Sequence, residues 1–120
     1  MTLSRNALRR PRQQGSHGQL QFQVVQRTAA IERPIEPMPG HYQRSVDRLD
    51  SEIDALIAHK LSAVLLFGIP AVKDATGSGA WDARGPVPRA IAAIKRRAPH
   101  ITVIADVCLC EYTEHGHCGV

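Results

Sequence analysis

Hydrophobic residues in the middle of the chain follow two different patterns. One set recurs at steps of three and four residues, the spacing of an amphipathic helix, and comprises Val46, Leu49, Ile53, Leu56 and Ile57. Ser45 comes just before this set, where a helix N-cap would lie. A continuous apolar run follows at residues 61–69 and ends at Pro70, a pattern typical of buried parallel strands. We therefore predict a helix followed by a buried strand.

The same order repeats further along the chain. A loop rich in Gly and Asp over residues 73–85 leads to Pro86, which favours a helix start there. Ile91 and Ile94 mark this second helix, and residues 101–105 predict a second buried strand. Alternation of helices and strands indicates an α/β protein with a parallel sheet, in which sites lie in the loops that follow strands.

The first 36 residues differ from the rest in charge. They hold six Arg and two Glu, whereas residues 37–120 hold nine basic and nine acidic residues, so the net charge of +4 comes from the first segment. We interpret residues 1–36 as a basic arm, which can include a divergent strand at residues 21–25, and residues 37–120 as the α/β part. An organelle transit peptide is an alternative for the arm. Nucleic-acid binding is a weaker one, because no aromatic residues are interleaved with the arginines.

The apolar runs are too short for a membrane protein. The longest is about seven residues, whereas a membrane span needs about 20, and no apolar stretch follows the first basic residues as it does in a secretory signal. We expect a cytoplasmic protein with neither a membrane nor nucleic acid as its partner.

The three cysteines lie close together near the end of the sequence, as Cys108, Cys110 and Cys118. An odd number of cysteines without a secretion signal argues for a reducing compartment and against disulfides. Thiolates are strong zinc ligands, and on an extended backbone Cys108 and Cys110 would point the same way. Gly116 and Gly119 would let the chain fold back and bring Cys118 to them. The spacing favours a metal site.

Other interpretations of this segment stay open on spacing alone. The cysteines could be a coincidence or half of a site completed elsewhere, and His115 or His117 could close the site as a fourth ligand. Asp106, at the predicted strand end, could be catalytic or could cap local amides. Residues 76–79 contain two glycines but lack the Lys of a phosphate-binding P-loop, so we expect a flexible loop there.

Residues 106–119, read as Asp-Val-Cys-Leu-Cys-Glu-Tyr-Thr-Glu-His-Gly-His-Cys-Gly, closely resemble the zinc-site signature of the porphobilinogen synthases (5-aminolevulinate dehydratases). The resemblance extends over about residues 35–120. Its upstream segments are Pro37–Gly40 with Tyr42 and Arg44, Leu66–Pro70, Lys73–Asp74 with Thr76–Ser78, Arg89–Ile91 and Ala93–Lys95.

The resemblance implies the N-terminal portion of a (β/α)8 TIM barrel that is preceded by an extended arm and is incomplete in this chain. The implied activity is the lyase reaction of porphyrin and haem biosynthesis that condenses two 5-aminolevulinate molecules into porphobilinogen. It also implies Zn2+ bound by Cys108, Cys110 and Cys118, an acidic residue at the active-site mouth at Asp106, and His117 orienting a thiolate or a water. Family members form homo-oligomers, octamers in the usual case.

Three features depart from the family pattern. The family's two Schiff-base lysines match none of Lys60, Lys73 and Lys95, and a complete barrel needs about 250 residues. Residues 13–34 do not resemble the apolar first strand, and Glu114 stands where a small residue is usual. We therefore expect a fragment that is inactive alone and unstable as an isolated chain. The alternative is a small non-catalytic zinc-binding protein.

Overall fold

The computed structural model describes residues 20–26 and 30–118, and in these ranges the chain forms one five-stranded sheet and two α-helices. The strands are β1 Leu20–Gln26, β2 Glu32–Pro34, β3 Tyr42–Ser45, β4 Ala63–Ile69 and β5 Thr102–Ala105. The helices are α1 Asp50–Ala58 and α2 Pro86–Arg97. Much of the predicted basic arm over residues 1–36, and Gly119, lie outside the described residues.

The sheet has the spatial order β2-β3-β1-β4-β5. Strand β1 pairs in parallel with both β3 and β4, and β4 pairs in parallel with β5. Strands β2 and β3 form an antiparallel hairpin. Parallel neighbours need a crossover connection; α1 lies on the path to β4, and α2 joins β4 to β5. The expectation of an α/β fold with parallel strands is confirmed.

Strand β1 lies in a segment whose hydrophobic pattern predicted a strand only weakly. A strand was predicted at residues 21–25, and β1 covers Leu20–Gln26. All seven of its residues pair with β4, from Leu20 opposite Ala63 to Gln26 opposite Ile69. Pairing with two parallel neighbours therefore defines this strand, although glutamines interrupt its apolar pattern.

Helix α1 is shorter than the apolar spacing predicted. Residues 46–48 form a 3-10 turn, and the α-helix begins only at Asp50. The prediction that Ser45 caps the helix is wrong, because its hydroxyl accepts the Ile31 amide at 2.9 Å and so holds the hairpin instead. Ile57 is also not in the core, since 38% of its surface is exposed.

One face of the sheet is covered by the two helices. The buried cluster on this face contains Leu49, Ile53, Leu56, Val64, Leu66, Val87, Ala90, Ile94, Ala98 and Ile101. Helix α2 begins at Pro86 as predicted. Arg97 of α2 forms ion pairs with Asp50 and Asp54 of α1 at 3.1 and 2.7 Å, which ties the helices together.

The prediction that residues 101–105 form a buried strand is wrong in its burial. Ile101 is fully buried but precedes β5, and within β5 only Val103 is partly buried while Ile104 is 42% exposed. The reason is position, because β5 is the edge of the sheet in the described part of the chain and pairs there with β4 alone. No helix among these residues is long and apolar enough to cross a membrane.

Candidate metal centre

The loop that follows β5 brings the three cysteines together. Its start is fixed to the sheet, since the Asp106 amide donates to the Leu66 carbonyl at 3.1 Å. The chain then turns, with the amides of Tyr112 and Thr113 both donating to the Leu109 carbonyl at 2.9 and 3.1 Å. Cys110 therefore lies in a turn, and the expected extended backbone from Cys108 to Cys110 is wrong, although their side chains do converge.

The three thiols form a compact cluster. Cys118 Sγ lies 3.2 Å from Cys108 Sγ and 3.4 Å from Cys110 Sγ. The Leu109 amide also donates to Cys118 Sγ, at 3.2 Å. The reversal that returns Cys118 to the other two includes Gly116 at φ +72°, a left-handed conformation that glycine adopts without strain. Cys108 and Cys110 are half-buried and Cys118 is exposed, so the cluster opens to solvent on one side.

Hydrogen bonds within the cluster separate the acidities of the thiols. The pKa of Cys118 is lowered, chiefly by its side-chain hydrogen bond with Cys108 and next by the hydrogen bond from the Leu109 amide. A backbone hydrogen bond with Cys110 lowers the pKa of Cys108, but side-chain hydrogen bonds with Cys110 and Cys118 outweigh it and raise that pKa to about 12. Cys118 therefore ionises before Cys108, which acts as a hydrogen-bond donor.

The cluster fits a zinc ion in donor type and in spacing. Zinc–sulfur bonds of about 2.3 Å in a tetrahedron separate two sulfurs by about 3.8 Å. The ligand atoms of Cys108, Cys110 and Cys118 all lie within 4.8 Å of one another. The distances from Cys118 Sγ to the other two sulfurs are slightly shorter than the tetrahedral edge, so a small outward movement would accommodate the ion. Soft sulfur donors favour zinc over magnesium or calcium.

Neither histidine joins this cluster. Within the described residues, the groups of potential ligands contain the cysteines, Asp106 and Glu111 but not His115 or His117. His115 Nε2 donates to the Ala75 carbonyl at 3.2 Å, and its Nδ1 accepts the His117 amide at 3.3 Å, so both ring nitrogens are engaged. The two rings stack with centroids 6.0 Å apart. The arrangement favours three protein ligands over closure by a histidine.

Two carboxylates stand beside the cysteines. Asp106, Cys108 and Glu111 have ligand atoms within 4.8 Å of one another, and all three are half-buried. Glu111 Oε2 is buried without a hydrogen-bond partner among the described residues. The two carboxylates therefore lie beside the thiols, in a position that attracts a cation. Burial, and next the charges of Glu111 and Asp106, raise the pKa of Tyr112.

Sequence reasoning missed a second loop that contacts this one. Residues 76–79 were expected to form a flexible loop, yet Gly79 would touch Tyr112 if it carried a Cβ, and Asp74, just before them, forms a parallel bridge with Thr113. A recognisable signal exists in the sequence, where Asp74 is followed by Thr76 and Ser78. Asp side chains often accept hydrogen bonds from residues two or more positions later and so order a turn.

Comparison with known proteins gives a consistent result. A protein-family model described as delta-aminolevulinic acid dehydratase matches residues 6–120. A delta-aminolevulinic acid dehydratase from Halalkalibacterium halodurans is 46% identical over 96 residues, which are 80% of this chain and 29% of that protein. One from Helicobacter pylori is 47% identical over 97 residues, 81% of this chain and 30% of that protein. The chain thus spans under a third of these relatives' length.

A solved structure gives the same result for the fold. The Toxoplasma gondii delta-aminolevulinic acid dehydratase (porphobilinogen synthase), crystallised in complex with the reaction product porphobilinogen, matches with a TM-score of 0.75 and 27% identity. The match covers all of this chain and 37% of that one.

Proposed function

This chain belongs to the delta-aminolevulinic acid dehydratase family, and on that premise we propose that it is the N-terminal part of an enzyme that condenses two 5-aminolevulinate molecules into porphobilinogen. The observation that carries the proposal is the convergence of three thiols in the loop after β5. That loop follows a parallel strand, where α/β proteins place their sites.

The proposed architecture is the beginning of a (β/α)8 barrel. Strands β1, β4 and β5 are parallel and are neighbours in the order in which they occur along the chain. This is the arrangement of consecutive barrel strands, each followed by a crossover with a helix on the outer face. The likeness of the whole chain to part of the Toxoplasma gondii enzyme supports this assignment. We also propose that the longer protein is a homo-oligomer.

Zn2+ is the proposed metal, with Cys108, Cys110 and Cys118 as its protein ligands. Three protein ligands leave a fourth position for water or substrate, as catalytic zinc sites do. When bound, zinc would supply Lewis-acid polarisation of a substrate oxygen. The exposure of Cys118 leaves the cluster accessible from solvent.

The remaining roles belong to side chains beside the cluster. Asp106 is half-buried at the carboxyl end of β5, where its carboxylate can accept a hydrogen bond or a proton from a substrate amine. Tyr112 packs the loop against Gly68 of the sheet, and the bond from the Asp106 amide to the Leu66 carbonyl fixes where Asp106 leaves the sheet. The Thr113 hydroxyl donates to the His117 backbone carbonyl at 3.0 Å, and this hydrogen bond holds the loop near Cys118. Its ring is proposed to orient a thiolate or a water.

Porphobilinogen formation in this family needs two lysines that form Schiff bases, and none of Lys60, Lys73 and Lys95 matches them. We therefore propose that the 120-residue chain by itself does not catalyse the reaction. The experiment is to isolate the native protein from its source, identify it by peptides containing Cys108–Cys118, and measure its mass and its porphobilinogen production. We expect a mass well above twice 13.1 kDa, with activity that a chelator removes and zinc restores.

Another result would favour a different function. A native protein of 13.1 kDa that binds zinc tightly as a folded monomer and produces no porphobilinogen would contradict the enzyme proposal. It would support a small non-catalytic zinc-binding protein.

A further inference from the structure

The carboxylate of Asp74 organises the turn that follows it. It accepts the amides of Thr76 at 3.1 Å and Ser78 at 2.9 Å. It also accepts both of their hydroxyls, from Thr76 Oγ1 at 3.2 Å and from Ser78 Oγ. Four donors on one carboxylate fix residues 74–78 in a single conformation. The Ser78 hydroxyl, and next the Ser78 amide, lower the pKa of Asp74 to about 2, so it is ionised at neutral pH.

The backbone of this turn is bonded to the cysteine loop. The Asp74 amide donates to the Tyr112 carbonyl at 3.3 Å, and the Glu114 amide donates to the Asp74 carbonyl at 3.0 Å. His115 Nε2 donates to the Ala75 carbonyl at 3.2 Å. These contacts hold residues 112–115, which connect Cys110 to Cys118.

Close packing reinforces the hydrogen bonds. Gly77 has φ +71°, and a Cβ at this position would lie 3.2 Å from Thr113 Cγ2 and 3.5 Å from Tyr112 Cβ. A Cβ here would be in tight contact with Thr113, and the left-handed backbone of Gly77 itself favours glycine. Thr113 itself is 2% exposed. The contact between the two loops is thus a packed and hydrogen-bonded interface.

We propose that Asp74 is a positioning residue for the three-thiol cluster. Its carboxylate fixes residues 74–78, the backbone of this turn fixes residues 112–115, and these residues set the position of Cys118 relative to Cys110. Asp74 touches none of the thiols and acts only through the cysteine loop. The inference rests on the proposed metal-binding function of that loop.

The test is made on the longer native protein after its metal is removed. It uses Co2+ as a spectroscopic probe, because thiolate ligands give a charge-transfer absorption band whose growth measures affinity. The variants are Asp74→Ala and its matched control Asp54→Ala, in which Asp54 lies on α1 and pairs with Arg97. Removing residues that orient metal ligands weakens binding by about 10- to 100-fold. We expect about 10-fold weaker Co2+ binding for Asp74→Ala and less change for Asp74→Asn, which keeps one acceptor oxygen. Asp54→Ala should bind as wild type does.

A second measurement on the metal-free protein separates this inference from the proposed function. Hydrogen exchange of a peptide covering residues 110–116 should be faster in Asp74→Ala and unchanged in Asp54→Ala. If wild type bound no Co2+, the metal proposal would fail, but faster exchange would still support the positioning role. If the Asp74→Ala circular dichroism departs from wild type, Ser78→Ala replaces it in both measurements. Wild-type affinity together with wild-type exchange would overturn the inference.

Discussion

Tyr112 of the cysteine loop lies directly over Gly68, the glycine of strand β4. A Cβ at position 68 would overlap the Tyr112 hydroxyl and lie 2.7 Å from Val87 Cγ2 on α2. Tyr112 is 7% exposed, so its ring forms part of the packed interior. The glycine thus provides the space in which Tyr112 anchors the cysteine loop to the sheet and to the second helix.

Gly68→Ala should therefore destabilise the protein and loosen the cysteine loop. Insertion of a methyl group into a packed site costs about 1–3 kcal/mol, which denaturant unfolding of the purified protein can measure. Tyr112→Phe removes the hydroxyl that the new methyl group would meet. The double variant should consequently lose less than the sum of the two single losses. Strict additivity would argue against this contact.

The ionisation of Asp74 predicts a pH dependence for the contact between its turn and the cysteine loop. Because its folded-state pKa is lowered from 3.8 to about 2, its stabilising contribution is fully present above pH 3.8 and is lost as pH falls through about 2. A titration of the side-chain carboxyl carbon by NMR should give this low midpoint. Ser78→Ala should move the midpoint upward, since the Ser78 hydroxyl is the largest cause. A wild-type midpoint near 3.8 would contradict the bonding described for Asp74.

Replacement of one thiol should remove most of the metal affinity. Binding free energies of structural zinc sites are of order 10 kcal/mol, so loss of one of three thiolates should weaken binding by about 100-fold or more. Cys118→Ser and Cys110→Ser should show this in the Co2+ titration, whereas His100→Ala, which changes an exposed histidine, should not. A comparable loss for His117→Ala would instead indicate a site closed by histidine.

Arg44 should stabilise the attachment of the hairpin to α1. It is 8% exposed, pairs with Glu52 at 3.0 Å and Glu32 at 3.5 Å, and lies over the Tyr42 ring at 4.7 Å. Removing one partner of a buried ion pair costs about 3–5 kcal/mol, and partial solvent access to both glutamates reduces this to about 2–3 kcal/mol. Thermal unfolding of Arg44→Ala measures the loss. A wild-type midpoint would contradict a stabilising role for these ion pairs.

The sequence predicted the regular elements because their signals are local. Pro86 marks a helix start, and apolar spacing identifies Leu49, Ile53 and Leu56 as core residues. The error at Ser45 arose because its hydroxyl bonds to Ile31, and a contact between residues so far apart has no local pattern. The exposure of Ile104 was missed for a similar reason, since burial of a strand depends on its neighbours in the sheet.

The candidate site was predictable only in part. The spacing of Cys108, Cys110 and Cys118 indicated a metal cluster, and the structure does bring their sulfurs together. The roles of Asp74 and Gly68 depend on the approach of separate loops and strands. Such contacts follow from the fold and are not encoded in the residues near the cysteines.

The exposed edge of the sheet predicts that the isolated 120-residue chain aggregates. Unpaired strand edges with apolar side chains favour association. In the described residues β5 pairs with β4 alone, Ile104 is 42% exposed and Val107 is 90% exposed. We expect high-molecular-weight species in size-exclusion chromatography, and Ile104→Lys should reduce them because a charged edge resists pairing with another chain. Ser51→Lys places the same charge on the exposed surface of α1, away from this edge, and controls for charge alone. A monomer with a sharp, reversible thermal transition would contradict this prediction and would indicate that the two helices and five strands form a stable unit.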